Sequence, residues 1–196
     1  MLTLRVRLAV VSALLACVPP LLHAQKTSEQ PAESPAHQYF TDVRLVTQDG
    51  HSVRLYSDLL KDKVVVINTF FGTCTGSCPR MASTLSALQE RLGDRLGKDV
   101  FLLSFSVDPE NDTPQKLKEY AAQFHARPGW IFLTGSKENI QFALGKLGPQ
   151  IAHREDHSTL FMVGNNRTGL WMKVFAGNCE SECLTGIVNS VINDKE

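Results

Sequence analysis

Two cysteines behind an apolar run are the residues of this sequence best suited to chemistry. Cys74 and Cys78 are separated by three residues and follow the run Val64–Phe71, and His157 stands much later in the chain. Soft sulfur ligands favour Cu(I) or Zn(II), and a set of two thiolates and one imidazole suits copper. The same two thiols are also able to cycle through a disulfide. The residue types therefore indicate copper handling or thiol redox chemistry.

The predicted position of the cysteines favours ionised thiols. Pro79 marks the first turn of a helix, and the N–H groups and positive dipole end at a helix N-terminus stabilise a thiolate. We therefore expect a low thiol pKa at Cys74 and Cys78. Three intervening residues form a wider loop than two, which lets both sulfurs face one ion. The alternatives are a structural disulfide or two buried core thiols.

The spacing of apolar side chains predicts the elements that must position these residues. Near-continuous apolar runs predict strands buried on both faces, and an apolar residue at every third or fourth position predicts a helix. The predicted strands are Val43–Val46, Ser52–Leu55, Val64–Phe71, Val100–Val107, Trp130–Leu133, Thr159–Val163 and Leu170–Phe175. The predicted helices begin at Pro79, Thr113, Ser136 and Ser181.

This order predicts an α/β domain with a central mixed sheet, helices on both faces and an N-terminal β-hairpin. Cysteines at the first turn from a buried strand to a helix make it the thioredoxin pattern. In such a fold, the segment before the last hairpin returns to the sheet edge that carries the cysteine loop. That topology makes His157 the candidate third ligand, with Asp156 either orienting its ring or capping the turn. His153 is the competing ligand, and three other histidines are expected at the surface: His37, His51 and His125.

A second pair of cysteines, Cys179 and Cys183, repeats the same spacing. In the thioredoxin layout, the turn Ala176–Asn178 should bring Cys179 near the Cys74 loop. A second dithiol there would resolve a disulfide or enlarge the metal site. The alternative is a local disulfide that staples the first turn of the last helix. The sequence leaves both alternatives open.

The N-terminal segment indicates export. Residues 1–24 combine a basic start, a short apolar core and a small residue at the exit, which is typical of a signal peptide. Residues 25–38 are predicted to be a flexible linker, and residues 39–196 the folded domain. The expected location is the periplasm, either soluble or lipid-anchored, with membrane contact only if Cys17 is lipidated. The 20 basic and 20 acidic side chains balance, so no nucleic acid partner is indicated, and we expect a monomer.

Three motifs carry a family resemblance. They are Phe70–Met81, which contains Cys74 and Cys78, then Ser106–Pro114, then Asp156–Ser158. In this order they resemble the signatures of the SCO/SenC family, over about Tyr39 to Ile192. The resemblance implies a thioredoxin fold and copper bound by Cys74, Cys78 and His157. It also implies delivery of copper to the Cu(A) centre in subunit II of cytochrome c oxidase, or to another copper or thiol client.

The cysteine loop departs from the common family form. That form has Pro and Asp between the cysteines, whereas this chain has Thr75, Gly76 and Ser77, and the glycine makes the loop more pliable. Two functions follow as hypotheses. The first is a non-enzymatic copper metallochaperone. The second is a periplasmic thiol-disulfide oxidoreductase in which Cys74 and Cys78 are the catalytic redox pair, with Cys179 and Cys183 passing electrons onward.

Overall fold

Alternating strands and helices build a seven-stranded sheet in the computed structural model, which describes residues 34–148 and 159–195. The strands are Arg44–Thr47 (β1), Ser52–Arg54 (β2), Val64–Phe70 (β3), Val100–Ser106 (β4), Trp130–Thr134 (β5), Leu160–Asn165 (β6) and Leu170–Phe175 (β7). The α-helices are Pro35–Phe40 (α1), Ser77–Leu92 (α2), Pro114–Gln123 (α3), Lys137–Leu147 (α4) and Ser181–Ile192 (α5). Shorter helical turns span Leu55–Leu60, Gly93–Arg95 and Ala176–Asn178. None of the helices in the described ranges has the length and apolar character to cross a bilayer.

The order of the strands sets which loops share an edge of the sheet. The order is β2-β1-β5-β4-β3-β6-β7, with β3 parallel to β4 and antiparallel to β6. The loop that leaves the end of β3 therefore lies at the same edge as the residues that enter β6. The predicted α/β architecture of thioredoxin type, with its N-terminal hairpin β1-β2, is confirmed.

Strand β3 separates two hydrophobic cores, and all seven of its residues are buried. Successive side chains of a strand point to opposite faces, so Val64, Val66 and Phe70 enter one core while Val65 and Ile67 enter the other. The first core contains apolar residues of α2, α3 and α5, and the second contains those of α1 and α4. Burial on both faces explains why this strand is a near-continuous apolar run.

The described fold begins at Ser34, five residues before the predicted domain start at Tyr39. The Ser34 hydroxyl accepts a hydrogen bond from the His37 amide at the start of α1 and pairs with the Tyr56 hydroxyl at 2.9 Å. His37, predicted at the surface, is half-buried there and has two side-chain neighbours. Its ring stacks on Tyr56 and its Nε2 lies 3.2 Å from a carboxylate oxygen of Asp42. The predicted signal peptide, residues 1–24, lies outside the described residues, as does most of the predicted linker, residues 25–38.

A buried polar network joins the three central strands beneath the cysteine loop. The Ser104 hydroxyl on β4 donates to Asn68 Oδ1 on β3 at 2.7 Å and accepts from Trp130 Nε1 on β5 at 2.9 Å. All three side chains are buried, so water could not replace a hydrogen bond that was lost from the network. The network fixes the register of β3 close to the end that carries the cysteines.

We predict that Ser104→Ala destabilises the fold by about 2 to 4 kcal/mol, because it strands a buried indole N–H and a buried amide oxygen at once. Urea unfolding measures the free energy of unfolding. Ser190→Ala is the matched control, because that hydroxyl is exposed and donates to the Ile187 carbonyl of its own helix. Equal effects of the two substitutions would contradict the role given to the network.

Candidate functional site

A short loop carries the two cysteines from β3 into α2. The Cys74 amide donates to the Phe71 carbonyl at 3.1 Å, which closes a tight turn directly after the strand. Helix α2 then begins at Ser77, so Cys78 lies in its first turn. Gly76 occupies the N-cap position, and it has no side chain that could accept from the amides of the helix. The helix N-terminus therefore faces the cysteine loop without a side-chain cap.

The structure brings the two sulfurs together without joining them. Neither Cys74 nor Cys78 is in a disulfide; Cys78 is fully buried and Cys74 is half-buried. The Cys78 thiol also hydrogen bonds with the Cys74 sulfur. One thiol of the pair is therefore open to solvent, and the other lies directly beneath it.

The prediction of a low thiol pKa is wrong for Cys78. Burial raises the pKa of Cys78 to about 12, and its hydrogen bond to Cys74 acts in the same direction. Backbone hydrogen bonds, which favour the thiolate, are weaker than the loss of water around the sulfur. Cys78 is therefore a protonated thiol at neutral pH, and it becomes a thiolate only if a partner compensates the buried charge.

A buried carboxylate holds the start of the cysteine loop. Asp112 accepts from the Gly72 amide at 3.1 and 3.2 Å and from the Ser106 hydroxyl at 2.6 Å. A Cβ on residue 72 would lie 2.7 Å from Asp112 Oδ1, so a larger residue there would have to displace the carboxylate. Burial raises the pKa of Asp112, whereas the bonds from Ser106 and Gly72 lower it. Gly72, and not the loop glycine Gly76, is therefore the residue that approaches the carboxylate.

The anchoring role of Asp112 is not predicted from the sequence, in which the next helix is expected to begin at Thr113. The structure assigns the cap to Thr113, whose hydroxyl accepts from the Lys116 amide. The Asp112 carboxylate is therefore not used as a cap, and it accepts from the Gly72 amide of the cysteine loop. Its place in the motif Ser106–Pro114 is the one signal in the sequence that could have found it.

The proposed third ligand lies outside the described residues. His157, its neighbour Asp156 and the competitor His153 all fall in the undescribed segment 149–158. The described chain resumes at Thr159, which lines a surface pocket together with Ser77 and Arg80. The entry to β6 therefore lies beside the first turn of α2. Within residues 34–148 and 159–195, no three His, Cys, Asp or Glu side chains form a group that could hold a metal ion.

Cys179 and Cys183 form a disulfide, which is the local alternative that the sequence left open. Cys179 is buried in the same core as Cys78, whereas Cys183 is exposed on α5. The turn before them lies beside the first turn of α2, because Ala176 and Gly177 line the pocket that also contains Ser77. In this oxidised state the second pair offers no thiol for a metal or for disulfide exchange.

Comparison with known proteins agrees with this architecture. The family model SCO1/SenC matches residues 31–192. The SCO1 protein homolog of Bacillus subtilis is 42% identical over 100 residues, which cover 50% of this chain and half the length of that relative. The copper-bound structure of ScoI from Arabidopsis thaliana superposes with a TM-score of 0.62 at 29% identity, over 76% of this chain and 94% of that one.

A further solved structure is that of BsSco, described as having a disulfide switch and as a member of the Sco family of cytochrome c oxidase assembly proteins. It has a TM-score of 0.64 and 31% identity, over 78% of this chain and 92% of that one. The motifs around Cys74 and Asp112 lie at the carboxyl ends of β3 and β4, within the matched residues. With the family model covering nearly all of the folded chain, the protein belongs to the SCO1/SenC family.

Proposed function

We propose that this protein is a copper metallochaperone that holds one copper ion with Cys74, Cys78 and His157 and delivers it to the Cu(A) centre of a cytochrome c oxidase. The observation that carries the proposal is the contact between two thiols outside any disulfide at the carboxyl edge of the sheet. Two sulfurs this close are able to bind one soft ion with little movement of the loop.

The two thiols differ in solvent exposure, and this difference suits a metal ion that must be taken up and released. Cys74 is half-buried, so it is open to an incoming ion, whereas Cys78 lies beneath it out of contact with water. Because the pKa of Cys78 is raised to about 12, binding has to displace its proton at neutral pH. Copper binding is therefore linked to proton release, which limits affinity and favours transfer.

Chain geometry supports His157 as the third ligand. It stands two residues before Thr159, and two extended residues span about 7 Å. Thr159 lines the pocket beside the first turn of α2, in which Cys78 lies. The chain between Thr159 and His157 is therefore short enough to keep the imidazole near the cysteine loop.

The relatives support the cargo and the client class. ScoI of Arabidopsis thaliana has been solved with copper bound, and BsSco is a member of a family of cytochrome c oxidase assembly proteins. An exported location is part of the proposal, because a disulfide such as Cys179–Cys183 persists in oxidising compartments. The signal-like residues 1–24 agree with that location.

We predict that His157→Ala weakens Cu(II) binding by about 10- to 100-fold and changes the visible copper spectrum, because an imidazole ligand is lost. Anaerobic titration with Cu(I) and Cu(II), followed by absorbance, measures both effects.

His51→Ala is the matched control, since His51 is exposed on the β1-β2 hairpin. His153→Ala tests the competing ligand under the same conditions. Unchanged affinity and an unchanged spectrum in His157→Ala would remove His157 from the site, and a loss confined to His153→Ala would reassign the ligand.

The partial exposure of Cys74, with the thiol of Cys78 as its neighbour, also favours a second function, thiol-disulfide exchange. The half-buried Cys74 is placed to attack a disulfide of a client protein, which forms a mixed disulfide and releases one client thiolate. Cys78 then attacks the Cys74 sulfur and releases the second client thiol. The client gains two electrons, and the protein is left with a Cys74–Cys78 disulfide. Turnover of a mixed disulfide without copper would favour this reductase over the metallochaperone.

We predict that iodoacetamide modifies Cys74 before Cys78 in the folded, copper-free protein at about pH 8, because only a thiolate reacts and Cys78 is buried with a raised pKa. The rate at Cys78 should continue to rise as the pH passes 9.0, the ordinary pKa of a thiol, toward its own pKa of about 12. Mass spectrometry of the two thiols over time measures both rates.

The urea-unfolded protein is the control, since there both cysteines are exposed and Cys78 should reach a plateau above its ordinary pKa. Modification of Cys78 at the same rate in the folded and unfolded protein would contradict the buried, protonated thiol.

A further inference from the structure

Tyr120 on α3 is a buried tyrosine whose hydroxyl has no hydrogen-bond partner among the described residues. Its side chain is 7% exposed. The ring stacks on Phe70, with ring centres 4.8 Å apart, and meets the edge of Phe132. Phe70 is the last residue of β3, so the tyrosine lies against the strand end from which the cysteine loop departs.

Packing alone does not account for the hydroxyl. A phenylalanine would make the same ring contacts without leaving a polar group that is cut off from water, which is a destabilising arrangement. The other buried tyrosine, Tyr56, lies in the opposite core and is also 7% exposed, but its hydroxyl pairs with Ser34 at 2.9 Å. The absence of a partner is therefore particular to the tyrosine in the core that contains Cys78.

The surroundings of Tyr120 identify what its hydroxyl could bond. The tyrosine shares a core with Cys78, and Cys74 packs against the same core. Asp112 already accepts bonds from Gly72 and Ser106. Burial raises the pKa of Tyr120, and negative charge on Cys78, Cys74 or Asp112 would raise it further, so the phenol keeps its proton and acts as a donor. Of the two cysteines of the loop, Cys78 is the one fully buried in this core, and its sulfur would carry charge when it binds copper.

We propose that the Tyr120 hydroxyl donates a hydrogen bond to the Cys78 sulfur when that sulfur becomes a copper-bound thiolate. Tyr120 is then a positioning residue, because it acts on the copper through its ligand. The inference rests on the proposed function. It explains how a sulfur buried away from water is able to carry the charge that copper binding requires, since a hydrogen bond to a charged group is stronger than one to a neutral group.

This role separates the stability of the copper-free protein from its affinity for copper. Tyr120→Phe removes a hydroxyl that is unsatisfied without copper, so the urea midpoint of the reduced, copper-free protein should stay the same or rise. The same substitution should weaken copper binding by at least about tenfold, as is typical when a hydrogen bond to a ligand is lost. It should also move the sulfur-to-Cu(II) charge-transfer band to longer wavelength, because the sulfur lone pairs rise in energy.

Tyr56→Phe is the matched control, since it removes a hydroxyl of equal burial that has a partner and lies in the other core. It should lower the urea midpoint and leave copper affinity and the charge-transfer band unchanged. Full-length reduced protein is titrated anaerobically with Cu(I) against a competing chelator, and separately with Cu(II), in wild type and both variants.

Three outcomes would overturn the inference in different ways. If wild type binds copper and Tyr120→Phe matches it in affinity and band position, the hydroxyl does not act on the ligand. If Tyr120→Phe loses as much stability without copper as Tyr56→Phe, the hydroxyl already has a partner and the premise is wrong. If wild type itself binds no copper, the proposed function fails, which this design separates from failure of the Tyr120 role.

Discussion

The hydrogen bonds between the Asp112 carboxylate and the cysteine loop are the constraint on which the rest of the site depends. A loop that leaves a buried strand and enters a helix has few fixed points of its own, and its inner glycine, Gly76, adds freedom. Asp112 supplies a fixed point by holding the Gly72 amide, while its bond from Ser106 ties that point to the end of β4. These bonds fix where the chain leaves the sheet and enters the loop that carries the two cysteines.

Burial of Cys78 disfavours ionisation of its thiol. The thiolate therefore forms only when a partner compensates its charge. The raised pKa means that solvent alone does not produce the thiolate, so a metal ion has to supply the compensating charge. A hydrogen bond from Tyr120 would add to that compensation only after the charge forms. Such an arrangement favours a resting dithiol and makes copper retention dependent on the complete ligand set, as the proposed metallochaperone function requires.

The architecture could be predicted from the sequence, whereas much of the site chemistry could not. Strand β3 is buried on both faces, which explains the apolar run that begins at Val64. Helix α2 buries one face, which explains the apolar spacing that follows Pro79. Both elements could therefore be predicted from the local sequence pattern. The thiol pKa of Cys78 depends instead on how tightly distant helices exclude water, which no local pattern records. The Asp112 anchor likewise arises from three-dimensional proximity. The pairing of Cys179 with Cys183 is one of two alternatives that the sequence leaves open, and the structure selects it.

X-ray absorption at the copper edge of the Cu(I)-loaded protein tests the central claim most directly, because it counts the ligand atoms around the metal. The account predicts two sulfur neighbours, from Cys74 and Cys78, and one imidazole nitrogen, in a three-coordinate site with the Cys179–Cys183 disulfide intact. Four sulfur neighbours would mean that the second cysteine pair opens and joins the site. Two sulfurs without any imidazole scattering would contradict the assignment of His157.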